Sequence, residues 1–366
     1  MPADPDRRRF ALAAAWPWVA WAVVRLAGAE RGFPLVPAMA FTPYAAGTAV
    51  LPVLAGLRAG SPGATALGAG AAAALAAAAL GRARRPHDLR PRTRRARSGR
   101  ARAGQARAGR VAAGTPLRVA TVSLRLGLAS AEAVVDLVRD RGVDVLSVAE
   151  LTPDAERRLA AAGLGDLLPH ACVRRARAGS VESASGAVWS RLPLEAAGAV
   201  PGTYEQPTAR LVPGTLDGGP PVEVTAVHSA APATGPRSVR DWTRDLAALP
   251  VPRPGALRVL AGDFNATADH AAFRRVLAAG WLDAAQAAGR ALAWTWRPLR
   301  LPMPRLTLDH VLVDPRITVA GVGFARLAGS DHRAVVADLR LPAVAGRRPT
   351  GPAGPVDAPP VLPGTA

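Results

Sequence analysis

The chain has 366 residues, of which 46 are basic and 27 acidic, and every basic residue is arginine. The length leaves room for about two domains. The net charge of +19 favours nucleic acid or an anionic membrane surface as a partner, unless the arginine content only reflects a GC-rich coding sequence. The single cysteine, Cys172, excludes an internal disulfide and a cysteine-based metal knuckle.

Three uncharged apolar runs open the chain: Phe10–Val24, Phe33–Leu57 and Ala59–Gly81. The second and third are long enough to cross a hydrocarbon core of about 30 Å as helices, and the first becomes long enough if Arg25 reaches the interface. A signal peptide is the alternative for the first run, and a soluble alanine-rich helix for the third. Because the runs follow each other at once, we predict a membrane anchor of two to three transmembrane helices over residues 1–81, and favour three.

Two segments have the composition of disordered chain. Residues 82–110 contain twelve Arg, one Asp and almost nothing apolar beyond Ala, so they bury too little surface to offset the entropy of ordering. We predict an Arg-rich disordered linker over residues 82–115, which either contacts anionic lipid or nucleic acid or is a solvated spacer. Residues 343–366 are rich in Pro, Gly and Ala and are predicted to form a disordered tail.

Residues 116–342 have the pattern of a globular α/β domain. LRVATVSL and VDVLSVAE are β-rich runs, and the segment between them has helical spacing, with Ser130 as N-cap and Gly142 as C-cap. A second helix is predicted for DHAAFRRVLAAGW, and further strands for SGAVWSRLPL, VEVTAVHS, LRVLAGDFN, TLDHVLVD and RAVVADLRL. Many strands are apolar on both faces, which predicts two sheets packed together with helices outside.

Polar residues recur where these strands begin or end: Glu150, His228, Asp263 with Asn265, Asp309 with His310, and Asp331 with His332. Each alone also fits a solvated strand end, a turn or a cap, but an acidic or histidine residue at five strand ends favours a site. In a strand, Asp263 and Asn265 would point to the same face. Carboxylates without cysteine suit a hard cation such as Mg²⁺, and histidines exchange protons near neutral pH. Together they indicate metal-assisted hydrolysis of a phosphoester.

Six motifs in this order resemble the endonuclease/exonuclease/phosphatase superfamily of DNase I-like enzymes, and most closely its bacterial membrane-anchored members: DVLSVAELTPD, SGAVWSRLPL, VTAVHSAAP, LAGDFNATADH, LDHVLVD and GSDHRAVVADLRLP. The resemblance spans Leu117 to Pro342. It implies a four-layer α/β sandwich, in which helices flank two central β-sheets and the site lies at one end of both sheets. It also implies Mg²⁺ as the cofactor, with Mn²⁺ as a possible substitute.

The resemblance also implies a role for each residue at the metal and the general base. Glu150 would be the main metal ligand, with Asp331 beside it as a second ligand or acting through water. His332 would contact the phosphate and act as base or proton carrier, and Asp309 would hold its ring.

The remaining residues would act on water, on the phosphoryl group or on packing. Asp263 would orient the attacking water and Asn265 would bind the phosphoryl group. His228 would be a second histidine, on the leaving-group side or as a phosphate clamp. His310 would have a packing role, and Arg191 either supports the site or lies in a strand-end turn.

Two residues depart from the family pattern. Ser123 stands where the first strand usually ends in an Asn that helps to bind metal, so Ser123 is only a weak metal-ligand candidate. Ala149 stands where Gln commonly precedes the metal-binding Glu. Both changes would reduce metal affinity or rate.

The favoured function is therefore a membrane-anchored, divalent-metal-dependent phosphoesterase that hydrolyses a phosphodiester or phosphomonoester by in-line attack of water. Nucleic acid, a phospholipid head group and a small phosphate ester are equally compatible substrates. The alternatives are a weakened domain that binds phosphorylated ligands without efficient turnover, or an Arg-rich membrane protein that binds nucleic acid or anionic lipid. We place the protein in a bacterial cell membrane as a multi-pass protein with its catalytic domain outside the cytoplasm, and infer no partner protein. The twelve arginines of residues 82–110 oppose that orientation, because arginines next to a membrane span tend to stay on the cytoplasmic side.

Overall fold

The computed structural model describes residues 4–82, 114–212, 216, 219–299 and 304–342. Most of the predicted Arg-rich linker and the whole predicted tail lie outside these residues. The first part is helical: α1 Pro5–Ala27, α2 Leu35–Met39, α3 Thr42–Thr48, α4 Val50–Arg58 and α5 Pro62–Gly81. Of these, α1 and α5 are long and apolar enough to cross a membrane.

The middle apolar run, expected to form one helix, is instead the three short helices α2, α3 and α4. Proline favours such breaks, because it has no N–H to donate and fits best in the first turn of a helix, although α1 continues through Pro17. Pro37, Pro43 and Pro52 each lie within the first three residues of one of these helices.

Helices α1 and α5 run in the same direction, and α3 and α4 return between them. Near one end, Ala11 of α1 packs with Ala59 and Ala64. Further along, Ala22 of α1 packs with Ala49 and with Leu75 of α5. Gly68 of α5 brings the helices close, because a Cβ there would lie 2.9 Å from the Val53 nitrogen of α4.

The rest of the described chain is a sandwich of two six-stranded sheets. The first has the order β11-β12-β1-β2-β4-β3 and the second β5-β6-β7-β8-β10-β9. The strands are β1 Pro116–Ser123, β2 Val145–Leu151, β3 His170–Arg174, β4 Ser185–Ser190, β5 Leu194–Val200, β6 Gln206–Leu211, β7 Val222–His228, β8 Leu257–Asp263, β9 Leu282–Asp283, β10 Asp309–Val313, β11 Thr318–Arg326 and β12 Arg333–Arg340.

The helices flank the two sheets. They are α6 Ala131–Arg141, α7 Pro153–Ala161, α8 Leu164–Leu167, α9 Pro236–Ala247, α10 Ala271–Ala278 and α11 Ala284–Ala287. Helices α6 to α8 pack on the outer face of the first sheet, while α9 and α10 pack on the outer face of the second. The two inner faces bury a shared core in which Val119 and Val145 meet Val224 and Val259. The predicted four-layer α/β sandwich is confirmed.

Local signals placed α6 correctly, because the Ser130 side chain accepts from the Ala133 nitrogen and Gly142 ends the helix at φ 55°. The segment SGAVWSRLPL, predicted as one strand, is instead divided between β4 in one sheet and β5 in the other. Pro193, which lacks a donor for the ladder, lies at this break. Strands β3, β6, β9 and β11 were not predicted.

The helical part is joined to the sandwich at the carboxyl ends of α1 and α5. Arg25 Nε donates to Asp269 Oδ1 at 2.8 Å, and Arg82 forms a second ion pair with the same buried carboxylate. Arg82, predicted to begin the linker, is therefore part of the folded structure. Val36 of α2 belongs to the core cluster of Trp242 and Phe264. The sandwich and the helical part consequently share a core.

Candidate active site

Strand pairing brings the predicted residues to one end of both sheets. Strands β1 and β2 are parallel with Ser123 opposite Ala149, so Glu150 follows at the same edge. Strands β7 and β8 are parallel with His228 opposite Asp263, and antiparallel β10 places Asp309 opposite Asp263. Carboxyl ends of parallel strands meet at one edge, where the sheet leaves room for a ligand.

Asp263 and Asn265 lie together, but not because they share a strand face. Strand β8 ends at Asp263, and Asn265 is in the left-handed region with φ 46°. The Asn265 backbone nitrogen donates to Asp263 Oδ1 at 2.8 Å, and its side-chain Nδ2 donates to Asp263 Oδ2 at 3.2 Å and to the Ser229 carbonyl at 3.0 Å. The expected shared face is therefore wrong, because a tight turn and not a continued strand holds Asn265 against the carboxylate.

The glycine of this GDFN segment, Gly262, is needed for a different reason, the close approach of a neighbouring strand. A Cβ on Gly262 would collide with the Val227 backbone of the neighbouring strand β7. Glycine therefore permits the close pairing that places His228 next to Asp263.

Glu150 is held in an unusual backbone conformation. Its φ is 56°, and the pairing of β2 with β4 shifts register between Val148 and Leu151. Left-handed non-glycine residues are uncommon and concentrate at functional sites. Ser123 Oγ donates to Glu150 Oε1 at 3.1 Å, and the Leu126 nitrogen donates to Oε2 at 2.5 Å. Two donors thus fix the carboxylate where the strand bulges.

His332 lies between two carboxylates. Its Nδ1 is 2.8 Å from Asp309 Oδ2, and its Nε2 is 3.9 Å from Asp263 Oδ2. Burial lowers the pKa of His332, but the charges of Asp309 and Asp263 outweigh it and raise the pKa to about 10. Burial and the charge of Asp309 raise the pKa of Asp263. The imidazole therefore carries a proton beside a carboxyl group able to exchange one near neutral pH.

The pKa of His228 is shifted in the opposite direction to that of His332. Burial and the charge of His332 lower its pKa to about 3, so it is neutral. Its ring stacks on Tyr204 with centroids 4.1 Å apart. The buried Nδ1 has no hydrogen-bond partner among the residues that the structure describes. The residue itself lines the cavity at this end of the sheets, so its ring lies beside any ligand bound there.

One cavity of about 780 Å³ collects most of the predicted residues at its surface: Glu150, His228, Asp263, Asn265, Asp331 and His332. Ser123 and Asp309 lie behind this surface, each bonded to a residue that lines it. Sequence reasoning missed Tyr204, Trp296 and Arg125, which also line the cavity, since none belongs to a recognised motif. It also missed residues 33–41, which form another wall.

The donor set fits a divalent cation. Glu150, Asp263 and His332 each offer one ligand atom, and these atoms lie within 4.8 Å of one another. The carboxylates of Glu150, Asp263 and Asp309 lie near the one imidazole of His332 in a largely buried site. A bound cation would balance their negative charge. Carboxylate oxygen donors suit both Mg²⁺ and Mn²⁺.

Two more metal candidates each contact a neighbouring side chain. Asp331 is outside the close group, and its Oδ2 accepts from Trp296 Nε1 at 3.1 Å. Asp331 lines the same cavity as Glu150, and its role as a second ligand or through water stays a prediction. Ser123 contacts the carboxylate of Glu150, the main candidate for a metal ligand.

Two further residues are placed away from the reacting groups. His310 is buried, with Nδ1 2.8 Å from Asp283 Oδ2 and Nε2 3.0 Å from the Ala266 carbonyl, as a packing role requires. Arg191 pairs with Asp144 at the start of β2, the end opposite Glu150. Arg191 therefore does not support the site, since β4 runs antiparallel to β2 and carries it to the far edge.

The chain is similar to one known protein family and to several solved structures. The Endonuclease/Exonuclease/phosphatase family matches residues 121–332. An endonuclease/exonuclease/phosphatase from Beutenbergia cavernae DSM 12333 is 22% identical, with 62% of this chain and 72% of that chain covered at a TM-score of 0.49. One from Bacteroides vulgatus is 16% identical, covering 62% and 100% at a TM-score of 0.47. A humanized D. rerio TDP2 with 14 mutations is 16% identical, covering 62% and 99% at a TM-score of 0.46. No curated protein matches the chain.

Proposed function

Because the chain belongs to the Endonuclease/Exonuclease/phosphatase family, whose members are generally hydrolases of phosphodiester bonds, we propose that it is a divalent-metal-dependent phosphoesterase. The observation that carries this proposal is the arrangement of Asp309, His332, Asp263 and Glu150 in one cavity. A domain that only bound phosphate would not need a buried carboxylate–imidazole pair beside a second carboxylate.

The residues divide the proton transfers between them. Asp263, oriented by Asn265, accepts a proton from the water that attacks phosphorus, and its raised pKa suits a base near neutral pH. His332 passes its proton to the leaving oxygen as the ester bond breaks. The 3.9 Å approach of His332 Nε2 to Asp263 Oδ2 then returns the water's proton to the imidazole. Asp309 holds the ring throughout and stabilises its charged form.

The remaining groups bind the phosphate. Neutral His228 lines the cavity, where a ring N–H would donate to a phosphoryl oxygen. Glu150 would hold Mg²⁺ or Mn²⁺, with Asp331 acting through water, while Asp263 and His332, whose side-chain atoms lie within 4.8 Å of a Glu150 oxygen, stay free to exchange protons. When bound, the ion would withdraw charge from the phosphoryl group.

We also propose that the chain is anchored in a membrane with three crossings. Helices α1 and α5 run in the same direction toward the sandwich, so a return limb must cross the same thickness. The limb is α3 and α4, because α2 packs against the sandwich. Three crossings put the N-terminus and the catalytic part on opposite sides. Arg7, Arg8 and Arg9 favour the catalytic part outside the cytoplasm, against the opposing tendency of the twelve arginines in residues 82–110.

The test of activity uses the purified full chain. Hydrolysis of DNA, phospholipids and aryl phosphodiesters is measured with Mg²⁺, with Mn²⁺ and with a chelator. Metal-dependent turnover of one of these esters supports the proposal. Tight binding of phosphorylated ligands with no turnover by a folded protein would favour the binding-only alternative.

The test of sidedness uses intact spheroplasts. Added protease is expected to cleave the catalytic part before the membrane is breached. A catalytic part that survives until lysis contradicts the proposed orientation.

A further inference from the structure

The cavity at the candidate site has a polar end and an apolar wall. The polar end is formed by Glu150, Asp263 and His332. The apolar wall is formed by residues that precede the sandwich in the chain by a wide margin: Phe33, Pro34, Pro37, Ala38, Ala40 and Phe41. We call this segment the 33–41 wall. It carries no charge, and it lies directly after the end of α1.

The wall is a built part of the cavity. Val36, within the segment, is 4% exposed and packs in the core cluster of Trp242. Ala40 packs with Leu306 and Leu308, which line the same cavity. Hydrophobic contacts therefore fix the wall against the polar end.

The rim of the cavity is also apolar. Phe33, Leu126 and Val181 are 45%, 62% and 64% exposed, and all three line the cavity. Large apolar side chains left in water at the mouth of a site mark a surface that meets another apolar phase. Arg125 is the one arginine among the described lining residues. That lining does not match single-stranded nucleic acid, whose channels are positively charged along their length.

The position of the cavity mouth also indicates contact with an apolar phase. The carboxyl end of α1 is fixed to the sandwich through Arg25 and Asp269, a few residues before the wall. Twelve of the eighteen large apolar side chains that are exposed in the described residues lie between Phe10 and Leu80. The mouth therefore lies where the apolar surface of the helical part meets the sandwich.

We propose that the substrate is an amphiphilic phosphate ester of the bilayer. Its phosphate lies at Glu150, Asp263 and His332, and its hydrocarbon chain lies along the 33–41 wall and leaves past Phe33. The cavity volume of about 780 Å³ is within the range of sites that enclose a ligand of drug size, about 300–1,000 Å³, so it holds a head group and the first part of a chain. This inference rests on the proposed phosphoesterase function and adds its substrate class.

The test measures dependence on chain length with the full chain in micelles of a maltoside detergent, which contains no phosphate ester that could compete as a substrate. The probes are dibutyroyl and dihexanoyl phospholipids with choline, ethanolamine or glycerol head groups, kept dissolved as monomers, and a water-soluble aryl phosphodiester. Burial of each methylene is worth about fourfold in affinity. We expect kcat/KM for the head group that is hydrolysed to rise about tenfold or more from dibutyroyl to dihexanoyl, mostly through KM.

A matched pair of variants locates the effect. Phe33→Ala, which shortens the wall, is expected to reduce the ratio of kcat/KM between the two lipids to about 3 or less. Ala38→Arg, which puts a charge in the wall, is expected to lower kcat/KM for the longer lipid. Phe10→Ala is the control, because Phe10 is also an exposed phenylalanine, lies on α1 and does not line the cavity.

The outcomes separate this inference from the proposed function. Hydrolysis of the aryl ester with no gain from longer chains, or of DNA faster than every lipid, overturns the lipid substrate and leaves a phosphoesterase. A gain that survives both Phe33→Ala and Ala38→Arg overturns the role of the wall. A folded protein that hydrolyses none of the esters with either metal overturns the proposed function itself.

Discussion

Asp309 Oδ2 lies 2.8 Å from His332 Nδ1, although 23 residues separate the two in the sequence. Asp309→Asn keeps the size of the side chain and removes its charge. We expect turnover to fall by about 10²–10⁴-fold, the usual contribution of general acid–base catalysis. The pKa of His332, about 10 in the intact pair, is expected to fall, as measured by NMR titration of the ring.

The control for this change lies at the other end of the same strand. Asp314 is also buried, but it pairs with Arg316 away from the cavity. Asp314→Asn is expected to lower stability and leave turnover per folded molecule unchanged. Equal losses of turnover in both variants would mean that Asp309 acts only on folding.

Glu150 is expected to govern metal binding. Glu150→Gln keeps the shape and removes the charged oxygen donor, so affinity for Mg²⁺ or Mn²⁺ measured by calorimetry should fall at least about tenfold, with turnover lost in parallel. Glu156→Gln is the control, because Glu156 pairs with Arg175 at 2.6 Å outside the cavity. Unchanged metal affinity in Glu150→Gln would remove Glu150 from the metal site.

Ser123 is expected to act through Glu150. Its Oγ donates to Glu150 Oε1 at 3.1 Å, and groups that orient a metal ligand commonly change metal affinity about 10–100-fold. Ser123→Ala should therefore raise the Mg²⁺ concentration for half-maximal activity about tenfold, by the same magnitude. Thr121→Val, two residues earlier on β1, removes a hydroxyl that has no partner among the described residues and should leave that concentration unchanged. Equal Mg²⁺ requirements in the two variants would contradict the positioning role.

Asp269 is expected to hold the helical part on the sandwich. It is fully buried between Arg25 and Arg82, so Asp269→Ala would leave two guanidinium groups without their carboxylate. Loss of one partner of a buried ion pair costs about 3–5 kcal/mol, which thermal unfolding of the full chain measures. Asp136→Ala removes an exposed pair with Arg139 and should cost about 1 kcal/mol or less. Similar losses in both would contradict a structural link at Asp269.

His310 is expected to give the fold a pH dependence. Burial lowers the pKa of His310, but Asp283 more than compensates and raises it above the usual value. The charged pair therefore stabilises the fold fully below the unfolded pKa of about 6.5, and this stabilisation is lost as pH rises through the folded pKa. His310→Phe keeps the ring between Phe264 and Phe273 and removes the charge. The stability lost in His310→Phe should shrink from about pH 6 to about pH 9, and a constant loss would contradict the charged pair.

The sequence by itself determined the features that depend on neighbours in the chain. Ser130 and Gly142 bounded α6 because caps act within one turn. Apolar runs located the buried strands. The polar residues where those strands begin or end identified seven of the residues at or behind the cavity, because strand pairing brings these ends to one edge. They are Glu150, His228, Asp263, Asn265, Asp309, Asp331 and His332.

The tertiary structure alone decided where those side chains point and what surrounds them. The left-handed backbone of Glu150 arises from a bulge between two strands, and the turn at Asn265 replaced the expected continuation of β8. The contacts of Arg25 with Asp269 and of the 33–41 wall with Leu306 join residues more than two hundred positions apart. No local pattern encodes such contacts, because their free energy comes from burying two distant segments together and exists only once the whole chain has packed.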